Sequence, residues 1–306
     1  MAGKSRNGLS NNPLVSIVIP VFNNLDFTRQ CLESIRQHTD GNYEVLVVDN
    51  ASSDGTGDYL ESAGVRVITM EKNTGFPPAV NAGIRQAQGK YVCLLNNDTI
   101  MMPGWLSPLV KHLEKTPRAA VAGPMQVNPD GIIVHVGVVF TPQLEDRHYP
   151  GDPAGWTHRE PLHIYIKQLS RHPPANVARS YPAMNFGCAL VRGEVLEEIG
   201  LLDEETFAFP GNYEDIDWCL RARKAGHACD YRPRSRIVHI GSGTQLGLGE
   251  EMKEKCVAGS RENLQRFLAK WKDEPEELFS PPSARLWVDE YFRFLNRLME
   301  KRNEAP

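Results

Sequence analysis

Four short stretches of this chain gather side chains able to handle charge. Leu94-Leu95-Asn96-Asn97-Asp98-Thr99 closes an apolar run, Tyr91-Val92-Cys93, and a Pro103-Gly104 turn follows it. In open α/β sheets, ligands sit at the carboxyl ends of strands, where these three polar side chains would lie. Asp98 can offer oxygens to a hard divalent cation, and such a cation can clamp a diphosphate. The alternative is an Asx-type turn that the same residues close. Asp49 ends the run Glu44–Val48. Its carboxylate can accept from a base N–H or a ribose hydroxyl, or cap the Ser-Ser-Asp-Gly turn that follows. Glu214, Asp215 and Asp217 crowd one turn ahead of Trp218. They complement a helix dipole, at about 0.3–1 kcal/mol each, or one of them faces a cleft and deprotonates an attacking hydroxyl. His239 ends an apolar run before Gly241-Ser242-Gly243, a turn whose backbone can come close to a diphosphate.

The elements that must position these groups alternate. Val15–Pro20, Glu44–Val48, Val65–Met70 and Tyr91–Leu95 read as strands, rich in β-branched residues or stopped by Pro and Asn. Leu25–His38, with Phe27, Cys31, Leu32 and Ile35 at helical spacing, Gly57–Ala63 and Pro77–Ala87 read as the helices between them. Strand, helix, strand, helix predicts a largely parallel sheet covered on both faces. The strand ends then bring Asn23, Asp49, Asn73, Asn97 and Asp98 to one edge, outlining a cleft of nucleotide size. No G-x-G-x-x-G follows the first strand and no G-x-x-x-x-G-K-[ST] occurs. A metal is therefore the natural substitute for a glycine-rich phosphate cradle.

Composition excludes several classes. A formal net charge of -4 over 306 residues argues against a general nucleic-acid binder. No apolar run reaches the roughly 20 residues that span a bilayer, and Met1–Asn12 reads as a polar, flexible leader. Six cysteines without a C-x-x-C pair fit a reducing, cytoplasmic setting rather than a zinc cluster or disulfide framework.

Taken as a set, Val15–Asn23, Val47–Thr56, Asn73–Phe76 with Asn81-Ala82-Gly83, and Leu94–Thr99 resemble family 2 glycosyltransferases, in particular their rhamnosyltransferase-like branch. The resemblance implies a GT-A fold, a Rossmann-like and mostly parallel sheet flanked by helices, acting on a nucleotide-diphosphate sugar. It also implies that Pro20, Val21, Asn23 and Asp49 hold the nucleoside, with Asn73, Phe76 and Asn81 flanking it. Asn96, Asn97 and Asp98 stand for the metal-binding D-x-D, with one carboxylate missing because its first position is Asn96. Pro77-Pro78 departs from the small residues usual after such a loop. On the same resemblance, Asp215 is the base, Glu214 and Trp218 contact the acceptor, and His239 joins Asp98 as a metal ligand. An imidazole in that set suits Mn²⁺ somewhat better than Mg²⁺.

The second half carries less pattern. Pro103–Thr116 reads as an amphipathic helix, and Ala119–Met125, Ile132–Phe140 and Asn185–Arg192 as strands. His135 in the second of these reads as a packed residue. Gly193–Ile199 is a helix, and Asn212 is positioned to cap the next, which Gly226 ends. Thr141–Pro182, with seven prolines and four histidines, reads as a flap or acceptor-side insertion. The tail holds helical patterns at Cys256–Trp271 and Leu286–Met299. The last of them packs on the core, forms a homodimer contact or lies peripherally on an anionic membrane. The expected organisation is a leader at 1–12, a GT-A domain at 13–245 whose nucleotide-sugar half is 13–100 and acceptor half 101–245, and a helical extension at 246–306. The expected activity is metal-dependent, inverting transfer from a UDP-sugar, or next a dTDP-sugar, to a hydroxyl of a glycan, lipid-linked or other glycoconjugate acceptor. The competing readings are a non-catalytic sugar-nucleotide-binding scaffold and a nucleotidyltransferase.

Overall fold

A computed structural model describes residues 14–140, 159–207, 209–241 and 249–280. The leader, the first part of the proline-rich insertion (141–158) with Arg147, His148 and His158, the Ser242-Gly243 turn and the expected Leu286–Met299 helix lie outside the described residues.

The nucleotide-side half follows the alternation in the sequence: β1 (Val15–Val21), α1 (Leu25–His38), β2 (Tyr43–Asp49), α2 (Thr56–Ser62), β3 (Arg66–Thr69), α3 (Phe76–Ile84) and β4 (Tyr91–Leu95). β1 lies between β2 and β4, parallel to both, and β3 continues the parallel run beyond β2. Alternation along β1 sorts its side chains. Val15, Ile17, Ile19 and Val21 pack with Leu32 and Ile35 of α1, while Val18 joins Ala79, Val80 and Ile84 of α3. Burying each such aliphatic side chain contributes about 1.5–3 kcal/mol. α3 approaches closely because Gly83 has no side chain; a Cβ there would stand 2.3 Å from Val18 Cγ1.

Beyond β4 the sheet is not the largely parallel one expected. After β5 (Thr99–Met101), α4 (Ser107–Lys115) and β6 (Ala119–Val127), the predicted strand over 132–140 is two short ones, β7 (Ile133–His135) and β8 (Val138–Phe140). β7 pairs with β6, whereas β8 pairs with β9 (Pro161–His163) in a separate ribbon. The break lies at Val136-Gly137, where a Cβ on Gly137 would meet the Tyr181 ring at 2.3 Å. After β10 (Arg179–Tyr181), β11 (Cys188–Arg192) enters antiparallel between β4 and β6, followed by α5 (Gly193–Ile199), α6 (Glu214–Lys224), β12 (Ala228–His239) and α7 (Glu250–Trp271). The main sheet runs β10-β12-β6-β11-β4-β1-β2-β3.

These reversals position the site. Because β11 is antiparallel, its start meets the end of β4: Cys188 lies opposite Leu95, and Asn96 N–H donates to Gly187 O at 2.9 Å. β12 is long and changes partner. Its register against β6 shifts between Arg232 and Arg236, after which its end pairs antiparallel with β5. His239 thereby falls opposite Thr99, and Ile240 N–H donates to Asp98 O at 3.0 Å. All six cysteines are buried free thiols.

Candidate active site

A cleft of about 520 Å³ opens at the carboxyl edge of β1, β2 and β4, a size that suits a small-molecule ligand. Pro20 and Val21 from β1, Asn73 and Phe76 around the start of α3, and Asn96, Asn97 and Asp98 after β4 line it. So do Glu214 and Asp215 from α6 and His239 from β12, with His239 against Asp98. Ten of the residues singled out in the sequence thus share one wall-to-wall space, although they are up to 219 positions apart (239 minus 20).

Four others do not line it. Asp49 is buried, with Oδ1 accepting from Ser52 N–H at 2.9 Å, so it caps its own turn. Asn23 spends its side chain on the same turn, accepting from Ser53 N–H at 2.8 Å. Asn81 is 1% exposed and bonds Leu202 at both its backbone N–H and carbonyl, and Glu204 at its carboxylate. Trp218 is wholly buried against Phe186 and donates its indole N–H to Gly200 O at 2.9 Å; it packs rather than stacks on a ligand. In each case the side chain points to the frame beneath the cleft.

The sequence reading passed over several wall residues. Asn50 is the most consequential. Its Nδ2 donates to Asn73 Oδ1 and Gly75 O, both at 3.0 Å, and its Oδ1 accepts from the Thr74 N–H and hydroxyl. It latches the 73–76 loop to the end of β2. Adjacency to Asp49 at a strand end was the available signal. His163, Asn185, Phe209 and Cys256 also line the cleft; they come from segments without periodicity or from the distal helix. His135 packs as expected, accepting from Asn185 N–H at Nε2 and lying 2.9 Å from His163 Nδ1 through its own Nδ1. Burial holds its imidazole well below the usual range.

The three carboxylates of α6 separate by environment. Asp217 is wholly buried and paired with Arg221 at 2.9 Å, Lys270 at 2.7 Å and the Trp271 indole N–H at 3.0 Å, a structural anchor. Asp215 faces the cleft. Burial pushes its carboxyl up to about 6, against the Phe186 and Ile216 N–H groups that donate to it at 3.1 and 2.8 Å and favour the anion. Burial, and then the charge of Asp215, push Glu214 well above the usual carboxyl range, and its Oε2 is buried without a partner. Two adjacent carboxyls in the cleft are thus both shifted toward the protonated form by burial. The expected cap is different too: Tyr213, in the left-handed region, precedes α6, and the Asn212 side chain bonds Ser260 instead.

The same cleft holds a pair suited to a cation. His239 Nε2 stands 3.2 Å from Asp98 Oδ1 and 3.5 Å from Asn96 Nδ2. Its Nδ1 pairs with Gln126 Oε1 at 2.7 Å. An N–H at Nδ1 directed at that amide oxygen leaves the Nε2 lone pair facing the carboxylate, the arrangement a metal-ligating histidine needs. Asn96 Oδ1 is buried with no hydrogen-bond partner. One carboxylate and one imidazole nitrogen at one edge suit a divalent ion of the Mn²⁺ type, although among the described residues no third His, Cys, Asp or Glu joins them. The lost first carboxylate of the motif is replaced by a neutral amide rather than by an apolar group.

Residues 16–137 match the family described as Glycosyl transferase family 2. The chain is 30% identical over 292 residues to the uncharacterized protein y4gI of Sinorhizobium fredii, which covers 90% of this chain and 30% of that protein. It is 27% identical over 234 residues to the glycosyltransferase AglE of Haloferax volcanii, covering 72% of this chain and 65% of AglE. The chain therefore spans 30% and 65% of the lengths of these two relatives. Among solved structures, GalNAc-T7 with UDP, GalNAc and Mn²⁺ superposes with a TM-score of 0.60 at 19% identity, over 94% of this chain and 55% of that one. The mannosyltransferase PcManGT from Pyrobaculum calidifontis, in complex with GDP-Man and Mn²⁺, gives 0.53 at 15% identity, over 94% and 84%. At such identities the likeness is one of fold. The family match and the shared architecture lead to one assignment: residues 16–137 form a family 2 glycosyltransferase segment, and the chain is built on the GT-A fold.

Proposed function

We propose that the chain transfers a sugar from a nucleotide-diphosphate donor to a hydroxyl acceptor with inversion, using Asp215 as base. The observation that carries this reading is the meeting of Asp215 and the Asp98–His239 pair in one cleft. The acceptor hydroxyl gives its proton to Asp215 as its oxygen attacks the anomeric carbon, and the bond to the diphosphate oxygen breaks with its electrons leaving on the diphosphate. A single base on one face corresponds to inversion; a double displacement needs a second carboxylate as nucleophile, by analogy with glycosidases. Glu214 binds an acceptor oxygen or hydroxyl beside Asp215. Asp98 and His239, beside Asn96, would hold a divalent cation, which when bound would neutralise the charge of the leaving diphosphate. Pro20, Val21, Asn73 and Phe76, with Asn50 behind them, form the nucleoside wall.

UDP is the donor nucleotide we favour, with dTDP next, and Mn²⁺ the favoured ion over Mg²⁺. The neighbour with UDP and Mn²⁺ supports this choice, while the GDP-Man complex of the other keeps guanosine in the test. A glycan, a lipid-linked sugar or another glycoconjugate is the acceptor class. The domain division proposed is 13–245 for the transferase unit, followed by the helical extension.

The test is a panel of UDP, dTDP, GDP and CMP, each with Mn²⁺, Mg²⁺ or EDTA, read by melting temperature and by nucleoside diphosphate released from the matching sugar donor. A metal-dependent stabilisation with one nucleotide and turnover of its sugar are expected. Binding that EDTA leaves unchanged would remove the metal role of Asp98 and His239. Metal-dependent binding without turnover in the presence of glycan acceptors would favour the scaffold reading, for which the missing carboxylate at Asn96 is the one supporting observation.

A further inference from the structure

The turn that introduces α6 is held in an unfavourable conformation by a helix much later in the chain. Gly211, Asn212 and Tyr213 take successive φ values of 114°, 79° and 72°. Two of the three carry side chains, which disfavour this left-handed region, and such a turn persists only when its surroundings over-determine it. Its own sequence does not hold it, since no side chain caps α6. The contacts come from α7. Asn263, 1% exposed, donates from Nδ2 to Gly211 O at 2.7 Å, and Asn212 Nδ2 lies 2.6 Å from Ser260 Oγ. Between them, Gly259 lets Phe209 close in; a Cβ on Gly259 would stand 2.6 Å from Phe209 O. On its other side the same turn meets the nucleoside wall, where Phe76 N–H donates to Pro210 O at 3.0 Å.

α7 has its own anchorage further along. Trp271 and Lys270 bond Asp217, and Arg159 donates to the carbonyls of Trp271, Lys272 and Glu274. The helix stays docked at that end whatever happens at residues 259–263, so its contacts on the turn act as a fixed brace. At its other end, Met252 and Cys256 line the cleft itself.

We propose that Asn263, assisted by Ser260 and Gly259, is a positioning residue that aims Glu214 and Asp215 into the cleft through the carbonyl of Gly211. The segment that the sequence sets apart as an extension is then a wall and brace of the active site. This rests on the reading of Asp215 as the base, and the test separates the two.

Asn263→Leu keeps the volume and removes the N–H donor; Leu268→Ala, on the same helix but packed against the core, is the comparison for loss of stability alone. Steady-state release of nucleoside diphosphate and hydrogen exchange over residues 209–216 are measured in full-length protein. Asn263→Leu is expected to lower kcat about tenfold or more with donor KM within about twofold, because small misplacements of reacting groups cost that much. It is also expected to speed exchange over 209–216, while Leu268→Ala does neither. Wild-type kcat in Asn263→Leu, or the same kcat loss and exchange in Leu268→Ala, overturns the proposal. If wild-type protein releases nucleoside diphosphate from no donor, the transferase reading fails on its own, and unchanged exchange in Asn263→Leu still overturns the brace. Should that variant not fold, Ser260→Ala removes the Asn212 contact together with the hydroxyl's bond to Cys256 O within α7; faster exchange over 209–216 supports the proposal and unchanged exchange overturns it.

Discussion

The two walls of the cleft treat their polar groups in opposite ways. On the nucleoside side, Asn50 and Asn73, with Asn23 and Asp49 in the frame beneath the cleft, bond one another's loops, and Asn50 alone satisfies four groups at once. On the catalytic side, Asn96 Oδ1 and Glu214 Oε2 are buried without partners, and two carboxyls are pushed upward. A buried polar atom left unpaired costs more than a typical hydrogen bond returns. Such atoms persist where a ligand completes them. The first wall is a finished frame and the second is an unfinished one, which is why the chemistry is assigned to the second.

The sharpest way to break this contrast is Asp215→Asn. As the base, Asp215 should carry a factor of about 100 or more in kcat, while the variant melts no lower than wild type because a buried charge has been removed. Turnover within a few-fold of wild type would end its role. The sign of the pH dependence follows from the same burial. The base works deprotonated, so kcat/KM should fall as pH drops through about 6 and level off above it. Asp215→Asn should flatten that acid limb. A limb near the ordinary carboxyl value would point to a different base.

Next in size are His239→Ala and Gln126→Leu. Removing the imidazole should abolish the Mn²⁺-dependent rise in melting temperature with nucleotide. Gln126 touches only the far nitrogen of the ring, and loss of such outer partners costs about 10–100-fold in metal affinity. The pair should therefore show a graded loss in Mn²⁺ titrations, with His239→Ala the greater. Equal Mn²⁺ affinity in wild type and both variants would show that the cation, if any, binds elsewhere.

The same contrast governs what could be read from sequence. β1, β4, α1 and α5 were legible because apolar spacing over a full element repeats the period of the element that forms. The first part of β12 was not: Ala228–Arg236 carries four charged residues and Pro233, without strand periodicity, and its strand character comes from pairing with β6. Nor does spacing disclose that β11 runs antiparallel, since a buried strand looks alike in either direction. Within the site, Asp98 and His239 were visible at the ends of apolar runs and Asp215 in an acidic helix start, while the roles expected of them came from the family resemblance. Asp49 and Trp218 carried equally strong local signals but point beneath the cleft, and side-chain direction at a turn depends on tertiary packing. Asn263 gave no signal, because a brace is defined by what reaches it from residues 52 positions away (263 minus 211).

On the frame wall, Asn50→Ala sharpens the comparison in the other direction. It strands the groups that Asn50 now pairs, and each unpaired buried group costs about 1–3 kcal/mol. The expected result is a clear drop in stability with weaker donor binding and a smaller effect on kcat than Asp215→Asn. A loss of kcat with unchanged stability would mean that the frame takes part in the chemistry.

The smallest effect is expected at the far end of the brace. Asp203 meets Lys270 at 2.7 Å and accepts from Thr206 N–H at 2.9 Å. Although burial raises a carboxyl, these hydrogen bonds hold this one down to about 2. A depressed folded-state value means that Asp203 contributes stability above the ordinary carboxyl value of 3.8, and the contribution is lost as pH falls from there through about 2. The side chain is 23% exposed, and with solvent screening its contribution is within about 1 kcal/mol. Asp203→Asn should lower the melting temperature slightly at pH 7 and converge with wild type near pH 2. It should leave kcat and exchange over 209–216 unchanged, because Lys270 retains Asp217 as a partner. Convergence only at higher pH, or a change in kcat, would mean that the far anchorage and the Asn263 contact act as one unit rather than as two separate fixings of α7.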